Sequence, residues 1–586
     1  MSRIYDSFLK VSSAVFEHRL AIMLAVCVGI LVFAPQYLSR LALGPAYQGV
    51  PFLYLDNELN YLARIQDIVR GDWLGDDSVF YEYSDESILP PIGEYFYAIP
   101  SLLLRGSPVT IVIASKFLFP AALFLLIYAV MIQLTGSPRA FKAKITAIAV
   151  ALLSTLGYGL IDLRSAIATF SGQLHATDLN IWTRPVNPII GALLFFAFLV
   201  ALWRLHAGRG MWARIWAGIV LGLSITYFFS WALSLTFLIV VTISYALRKQ
   251  AKRIVDHIIV FGISVLVQLP FWINAVMHFG NGDDSLARRN GLLLLHAPMM
   301  NKVLLVGTLF FVCVTLYQYV REKKLGDWWW FSVSLLAACW VVFNQQILTG
   351  RTVWPDHFVQ FSIPVVIIVT YVILYRYILP RSVALWIIPV ALAIAGSLTA
   401  GIFSASSYRY SMDDYRKQQN DAPFIRWANE STAEQCVILA YEKGYYLSYL
   451  IPAFTHCKVY SSYDAYSGVP RERIIHNMLV LLRLRQIQPA NVKSFLESNV
   501  SREINTYLFE DWIQIFETEV TPQSRAKIEM VADAYAEFYT EDFATAIRKY
   551  KLDYIVSEEP LAGVLVDELQ LDEGRQYGRV IVYPLL

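Results

Sequence analysis

The sequence is poor in charged residues. Only 16% of its 586 residues are Asp, Glu, Lys or Arg, whereas a soluble domain carries roughly a quarter. Hydrophobic residues make up 56%, and the mean hydropathy is +0.48. A formal net charge of +2 excludes a nucleic-acid binder that works by electrostatic attraction. This composition indicates an integral membrane protein that is embedded in a lipid bilayer.

Nucleotide-binding signatures are also absent. The chain has no G-x-x-x-x-G-K-[ST] loop and no G-x-G-x-x-G, since GYGLID (157–162) lacks the last glycine. No internal repeat stands out, which weakens the case for a transporter built of inverted halves. Cysteines are few, and only Cys436 and Cys457 lie outside hydrophobic runs. Their two alternatives are a disulfide, if the compartment is oxidising, or a pair of free thiols.

Hydrophobic runs long enough to cross a bilayer recur along the first 404 residues. A membrane helix needs about 20 apolar residues. The runs cover residues 20–41, 108–134, 142–161, 186–204, 213–227, 229–247, 254–276, 301–320, 327–343, 358–378 and 382–404. The sequence therefore predicts a polytopic α-helical membrane protein with about eleven transmembrane helices.

Basic residues alternate with the predicted spans. The basic segments contain Arg3, Lys10, Arg19, Arg139, Lys142, Lys144, Arg204, Arg209, Arg214, Arg248, Lys249, Lys252, Arg253, Arg321, Lys323, Lys324, Arg376 and Arg381. By the positive-inside rule these segments face the cytoplasm. The N-terminus is then cytoplasmic, and an acidic first loop (42–107) lies outside. The first span has no cleavage site after it and is expected to stay as an anchor, in a bacterial inner (plasma) membrane.

The character of the chain changes after residue 404. VILAY (437–441), KVYSSY (458–463), DYIVS (553–557) and RVIVYPL (579–585) have the β-branched, aromatic composition of strands. APFIRWANE, RERIIHNMLVLLRLRQ and the stretch 524–549 have the periodicity of helices. We expect two domains: a transmembrane domain at 1–404 that includes the outer loop 42–107, and an extracytoplasmic α/β domain at 405–586.

Two carboxylates follow the first span, at the start of an amphipathic stretch. Asp56 and Glu58 open the segment YLDNELNYLARIQDIVRGDW (54–73), whose apolar residues repeat every three positions. The pattern predicts a helix that lies in the membrane interface. The acids have two readings: an N-cap with a helix-dipole partner, or a general base beside lipid. Together with Asp178 they are also a candidate site for Mg²⁺ or Mn²⁺, although nothing in the sequence requires a cofactor.

Further candidate site residues occupy two other outer loops and two spans. Each loop also has the alternative of being merely solvated, and Lys116 that of reaching back to the interface. Lys116 lies about 12 Å deep in the second span, and an ionisable residue at such depth is a functional candidate. The predicted substrate-binding residues are Lys116, Arg164, His175, Asp178, Arg184, Gln268, Gln346, Arg351 and His357.

The arrangement resembles the GT-C glycosyltransferases, which take sugars from polyprenyl-phosphate carriers. The likeness rests on many spans, a long acidic first outer loop with an acid soon after the first span (Asp56 in LDNEL), and an outer C-terminal α/β domain. The Asp-x-x-His-like signatures of particular subfamilies are absent. The resemblance implies a lipid-linked sugar donor, an extracytoplasmic acceptor (a glycan, a lipid or a protein) and no nucleic-acid partner.

The implied reaction is an inverting sugar transfer. Asp56 would take a proton from the acceptor hydroxyl, with Glu58 beside it. Arg184, Arg351, His357 or Lys116 would stabilise the leaving phosphate. The amphipathic helix would frame the entry of the lipid-linked donor. The alternatives are an O-antigen-type polysaccharide polymerase or ligase, and a transporter of lipid-linked or small substrates.

Overall fold

The computed structural model describes residues 15–53, 57–73, 79–83, 91–137, 139–161, 163–171, 173, 180–208, 210–277, 291–322, 325–378, 382–441, 446–462, 469–510 and 512–585. The chain divides into two compact units. Unit 1 comprises Met1–Ala42, Val109–Trp272 and Leu295–Met412, and unit 2 comprises Leu43–Pro108, Ile273–Leu294 and Asp413–Leu586. The domain boundaries expected from the sequence, 1–404 and 405–586, stay a prediction.

Helices make up most of the described chain. In chain order they are α1 (Arg19–Leu43), α2 (Asn57–Arg70), α3 (Tyr95–Leu104), α4 (Pro108–Thr135), α5 (Phe141–Thr155), α6 (Leu163–Phe170), α7 (Ile189–His206), α8 (Gly210–Leu223), α9 (Phe228–Leu247), α10 (Ala251–Met277), α11 (Lys302–Glu322), α12 (Asp327–Phe343), α13 (Gln346–Thr349), α14 (Asp356–Ile373), α15 (Val383–Ser407), α16 (Met412–Gln418), α17 (Ala422–Ser431), α18 (Tyr446–Phe454), α19 (Arg471–Leu484), α20 (Val492–Ser498), α21 (Pro522–Thr540), α22 (Phe543–Ile547) and α23 (Gly563–Glu568). The strands are β1 (Leu292–Leu294), β2 (Arg351–Val353), β3 (Val437–Tyr441), β4 (Lys458–Val459), β5 (Tyr554–Ser557), β6 (Arg575–Tyr577) and β7 (Val580–Pro584).

Each of the eleven hydrophobic runs coincides with a helix. Within the described residues, nine helices are long and apolar enough to cross a membrane. The other two, α5 and α8, have only 15 and 14 residues. The protein is an integral membrane protein, and the predicted fold class, a polytopic helical protein with a C-terminal α/β region, is confirmed.

Burial separates the inner helices of unit 1 from the outer ones. In α14 with its π-helical extension (Asp356–Ile378), 78% of the apolar 18-residue stretch is buried inside the protein. In α10 and in α15 the corresponding share is 28%. The surface of α10 exposes large apolar side chains such as Ile258 and Leu266. A soluble protein rarely exposes so continuous an apolar surface. We infer that α14 forms the centre of unit 1 and that α10 and α15 face lipid.

Two glycines on α8 let it approach α10 closely. A Cβ at Gly218 would lie 2.6 Å from Ile263, and a Cβ at Gly222 would lie 2.6 Å from Val267. The two glycines are four residues apart, so they lie on the same face of the helix. This small-xxx-small spacing is the usual device for close packing of membrane helices.

A five-stranded sheet organises the C-terminal part of unit 2. The strand order is β4-β3-β5-β7-β6. Strand β3 pairs in parallel with both β4 and β5, whereas β7 pairs antiparallel with both β5 and β6. The four strands expected from the sequence are all present, and β3 has the predicted bounds. Strand β6 was not predicted, because RQY is short and polar.

A disulfide joins Cys436, directly before β3, to Cys457, directly before β4. Their Cα atoms lie 4.5 Å apart, which is within the range for bridged cysteines. The disulfide links the amino ends of β3 and β4, two adjacent parallel strands that the chain connects through α18. Of the two alternatives left open by the sequence, the structure shows the disulfide.

The amphipathic helix α2 packs into unit 2. Its apolar stripe, Leu59, Leu62, Ile65 and Ile68, is at most 1% exposed, and the helix contacts α3 and α18. Protein therefore covers the apolar stripe, and the expected position of this helix in the membrane interface stays a prediction. An apolar stripe at helical spacing only requires an apolar neighbour, and here protein supplies it in place of lipid.

Two ion pairs, of which the one between Lys458 and Asp67 is buried on both sides, hold this helix in unit 2. Arg64 Nε lies 2.7 Å from Glu94, at the start of α3, and Lys458 Nζ on β4 lies 2.8 Å from Asp67. Burial raises the pKa of Asp67 above its ordinary value, and the charge of Lys458 opposes this only in part. The side chains of Lys458 and Asp67 are only 9% and 11% exposed, so neither charge has much access to water.

Candidate active site

The predicted catalytic acids fall at the start of α2. Asp56 lies outside the described residues, directly before the first residue of α2. Glu58 lies in the first turn of α2, where a carboxylate complements the helix dipole. Its side chain is 2% exposed and has an interaction partner. A buried carboxylate with a partner is well placed for a structural role. The catalytic role expected for Asp56 stays a prediction.

A polar cluster lies where α9 and α14 begin, and we call Tyr227, His357 and Gln360 the outer cluster. Tyr227 is extended and directly precedes α9, while His357 and Gln360 are three residues apart in the first turns of α14. The Tyr227 hydroxyl lies 3.1 Å from His357 Nδ1 and 3.2 Å from Gln360 Oε1. One hydroxyl thus joins the amino ends of two membrane helices.

The hydrogen bonds of the outer cluster define the tautomer of a neutral His357 ring. The Tyr227 hydroxyl carries one proton, which it donates to Gln360 Oε1. Its oxygen then accepts from Nδ1–H of His357, which leaves Nε2 of the neutral ring with a lone pair. The rings of Phe229 and Trp354 lie 4.8 and 4.9 Å from the His357 ring. These aromatic neighbours restrict the imidazole to one orientation.

Arg184 supplies a positive charge near this cluster. It follows a short 3₁₀ turn that is anchored by Trp182, whose Nε1 donates to Ser154 O at 2.9 Å, and by Asn180, whose amide donates to Thr155 O at 2.6 Å. The Arg184 side chain is exposed, and its charge acts electrostatically on His357. Of the predicted cations, the structure thus associates Arg184 with His357.

The segment 344–353 places its predicted residues differently. Gln346 is fully buried, and its Nε2 donates to Ala297 O at 3.0 Å. Its Oε1 has no hydrogen-bond partner within the described part of the chain. Arg351 has an exposed side chain, and its backbone oxygen accepts from Gln345 Nε2 at 2.7 Å. Gln346 is therefore a packing residue with one spare acceptor, and the Arg351 guanidinium faces outward.

The two predicted residues inside the spans are both covered by protein. Gln268 on α10 is 4% exposed; its amide donates to Leu221 O at 3.5 Å and its Oε1 accepts from Trp272 at 3.1 Å. These contacts tie α10 to α8, which explains the polar residue without a ligand. Lys116 on α4 is 3% exposed and has an interaction partner. Protein covers its side chain, as a functional position in a bundle requires.

Of the three remaining predicted residues, the structure describes only Arg164. Arg164 is exposed on α6, and His175 and Asp178 lie outside the described residues. The predicted metal set of Asp56, Glu58 and Asp178 is therefore a prediction still. Among the described residues, the group with metal-ligand spacing is Cys436, His456 and Cys457, and its two sulfurs form the disulfide instead.

Comparison with known proteins identifies the architecture. No protein-family model matches the sequence, and no curated protein matches it either. The oligosaccharyltransferase of Archaeoglobus fulgidus, in its apo form, aligns with 92% of this chain and 69% of its own, at a TM-score of 0.50 and 13% identity. That enzyme belongs to the GT-C superfamily. The chain has the GT-C fold.

A second solved structure aligns with nearly the whole of this chain. ArnT from Cupriavidus metallidurans, bound to undecaprenyl phosphate, aligns over 98% of this chain and 98% of its own, at a TM-score of 0.49 and 11% identity. The resemblance to GT-C proteins stated from the sequence is thus confirmed at the level of the fold. Identities of 11–13% carry no residue assignments.

Two residues of the outer cluster were missed in the sequence analysis. Tyr227 follows SIT and precedes FFSW, where it reads as one more aromatic residue in a hydrophobic run. Gln360 reads as an isolated polar residue at the start of a span. The available signal was the spacing of three between His357 and Gln360, which places both on one helix face.

Proposed function

We propose that this protein is a membrane glycosyltransferase that moves a sugar from a polyprenyl-phosphate carrier to an extracytoplasmic acceptor. The observation that carries the proposal is the GT-C fold, which matches an oligosaccharyltransferase over 92% of this chain. The absence of a nucleotide-binding motif favours a lipid-linked donor over a nucleotide sugar. Positive-inside alternation favours an outward-facing site in an inner membrane.

In the proposed mechanism, Asp56 is the general base. It removes the proton of the acceptor hydroxyl while that oxygen attacks the anomeric carbon and the bond to the carrier phosphate breaks. The configuration at this carbon inverts because a single displacement occurs. The leaving polyprenyl phosphate keeps the bonding electrons and gains negative charge.

Arg184 is our first choice for stabilising the leaving phosphate. Its guanidinium is exposed and acts electrostatically on His357, and five N–H donors suit the oxygens of a phosphate. A neutral His357 accepts at Nε2, so it suits hydrogen bonding to a sugar hydroxyl better than binding of the anion. Lys116 and Arg351 are the further cations of the proposal. A divalent cation is not needed for this charge balance.

The test is sugar transfer by the full chain in nanodiscs, with a panel of undecaprenyl-phosphate-linked hexoses and released undecaprenyl phosphate as the readout. Asp56→Asn removes the base and keeps the shape, so turnover should fall by about 10²–10⁴-fold. Glu58→Gln is the matched control and should keep turnover, with any loss confined to stability. Normal turnover by Asp56→Asn, with a dead Glu58→Gln, would reverse the two roles. Normal turnover by both would make the acids caps.

A second pair of variants tests the phosphate role. Arg184→Gln should lower turnover because a charge-assisted contact to the leaving group is lost, whereas Lys302→Gln removes a cation at the start of α11, also on the predicted outer side. Turnover that falls equally in both variants would point to general surface charge. In that case the assignment of Arg184 would be withdrawn.

A further inference from the structure

A crevice of ≈ 430 Å³ opens in the C-terminal part of unit 2. We call it the switch-point crevice; its walls include Tyr441, Arg485, Phe495, Glu503, Ser557 and Glu559. Its volume falls within the range of about 300–1,000 Å³ that is typical of small-molecule sites. No residue of the proposed transfer mechanism lines it.

The sheet topology explains why a crevice forms at this place. Tyr441 is the last residue of β3 and Ser557 is the last residue of β5, and these two strands are adjacent and parallel. After β3 the chain continues to β4 on one side of this pair, and after β5 it continues to β6 and β7 on the other side. Connections that diverge in this way open a gap at the carboxyl ends of the strands, where α/β domains bind ligands.

The charged residues that line the crevice are two arginines, Arg485 and Arg502, and three glutamates, Glu503, Glu558 and Glu559. Arg485 lies 2.7 Å from Glu503, whose side chain is 4% exposed, and Arg502 lies 3.8 Å from the same carboxylate. Glu558 lies 2.6 Å from Arg579, which stands outside the walls. The crevice therefore has no excess of positive charge to recruit a phosphate, and two of its three carboxylates are paired with arginines. Its ligand should be neutral.

The walls combine polar and aromatic groups. Tyr441 and Phe495 are both partly exposed and present aromatic rings to the gap. Carboxylates of glutamate accept hydrogen bonds and guanidinium groups donate them, so neighbouring hydroxyls of one ligand can find partners of both kinds. A sugar ring has this chemistry, since it carries a rim of hydroxyls and an apolar C–H face that packs on aromatic rings.

We propose that the switch-point crevice binds a neutral saccharide. The site belongs to the second unit, and its existence does not depend on the proposed sugar transfer. For a glycosyltransferase it would hold a glycan separately from the residues that carry out the chemistry. For a protein with another activity it would remain a carbohydrate-binding site.

Binding is tested on the full chain in nanodiscs with three neutral trisaccharides: maltotriose, mannotriose and N-acetylchitotriose. At least one should bind saturably in calorimetry and should slow amide hydrogen exchange in the peptides that cover 484–503 and 557–565. Phe495→Ala should weaken that binding about tenfold, which is 1.4 kcal/mol, and Phe495→Tyr should restore it. Phe516→Ala is the matched control, since this exposed ring lies outside the crevice, and it should bind as the wild type does.

Three results would overturn the proposal. The first is the absence of saturable binding by all three trisaccharides. The second is binding that protects other segments and is unchanged in Phe495→Ala. The third is tighter binding of inorganic phosphate at the same segments, which would make the crevice an anion site. Because these readouts need no lipid-linked donor, failure of the transferase proposal leaves them interpretable.

Discussion

Removing one partner of the buried pair between Asp67 and Lys458 should strongly destabilise unit 2. The two side chains are 11% and 9% exposed, and Lys458 Nζ lies 2.8 Å from the carboxylate. Asp67→Asn keeps the volume but removes the carboxylate charge that lies 2.8 Å from the buried Lys458 ammonium. Breaking such a pair typically costs about 3–5 kcal/mol. At about 2–4 °C per kcal/mol for a unit of this size, the melting temperature should fall by roughly 6 °C or more.

The double variant Asp67→Leu with Lys458→Met separates the charge effect from packing. Burial raises the pKa of Asp67 in spite of Lys458, so the cost of removing this carboxylate from water exceeds what its partner returns. Replacing both charges with apolar groups should therefore restore stability to the wild-type level or above it. Asp413→Asn is the control, because its partner Arg416 and Asp413 itself are 60% and 86% exposed. It should change stability by less than about 1 kcal/mol.

The assay is thermal unfolding of the purified full chain in detergent, followed by near-ultraviolet circular dichroism. The reasoning is refuted if Asp67→Asn melts within about 2 °C of the wild type, because that shift corresponds to about 1 kcal/mol or less. It is also refuted if the double variant is less stable than Asp67→Asn, because packing and not charge would then dominate the site.

Three further predictions concern acid sensitivity, helix packing and topology. Burial, with the charges of Arg473 and Lys549, lowers the pKa of His476 from its ordinary value to about 3, so stability should be full above pH ~6.5 and fall as the pH drops towards 3; His476→Gln should flatten this dependence of the melting temperature. Gly222→Leu should destabilise unit 1 by about 1–3 kcal/mol through overpacking against α10, whereas Gly262→Leu, at an open position on α10, should be tolerated in the same unfolding assay. A reporter fused after residue 404 should be active only outside the cytoplasm, and one inserted at 138–144 only inside; the reverse pattern would overturn the outward orientation of the site.

The sequence alone determined the membrane helices and most of the C-terminal strands. A run of about 20 apolar residues in a chain with 16% charged residues forms a membrane helix. In lipid, every backbone N–H and C=O group that lacks a hydrogen bond costs free energy, and a helix pairs them all within the segment. Strand β3 was predicted at its observed bounds because VILAY is a short run of β-branched, apolar and aromatic residues. These are local properties, and neighbouring residues in the chain are enough to specify them.

The tertiary structure decided what covers each apolar face and which distant polar groups meet. The stripe of α2 was predictable, but whether lipid or protein buries it depends on α3 and α18, and α18 lies nearly 400 residues further along the chain. Tyr227 and His357 are 130 residues apart, so no spacing in the sequence could pair them. The switch-point crevice likewise exists only because β3 and β5 are adjacent, which is a property of strand order. Contacts between distant residues follow from the packing of whole helices and strands, and no single segment of the sequence specifies that packing.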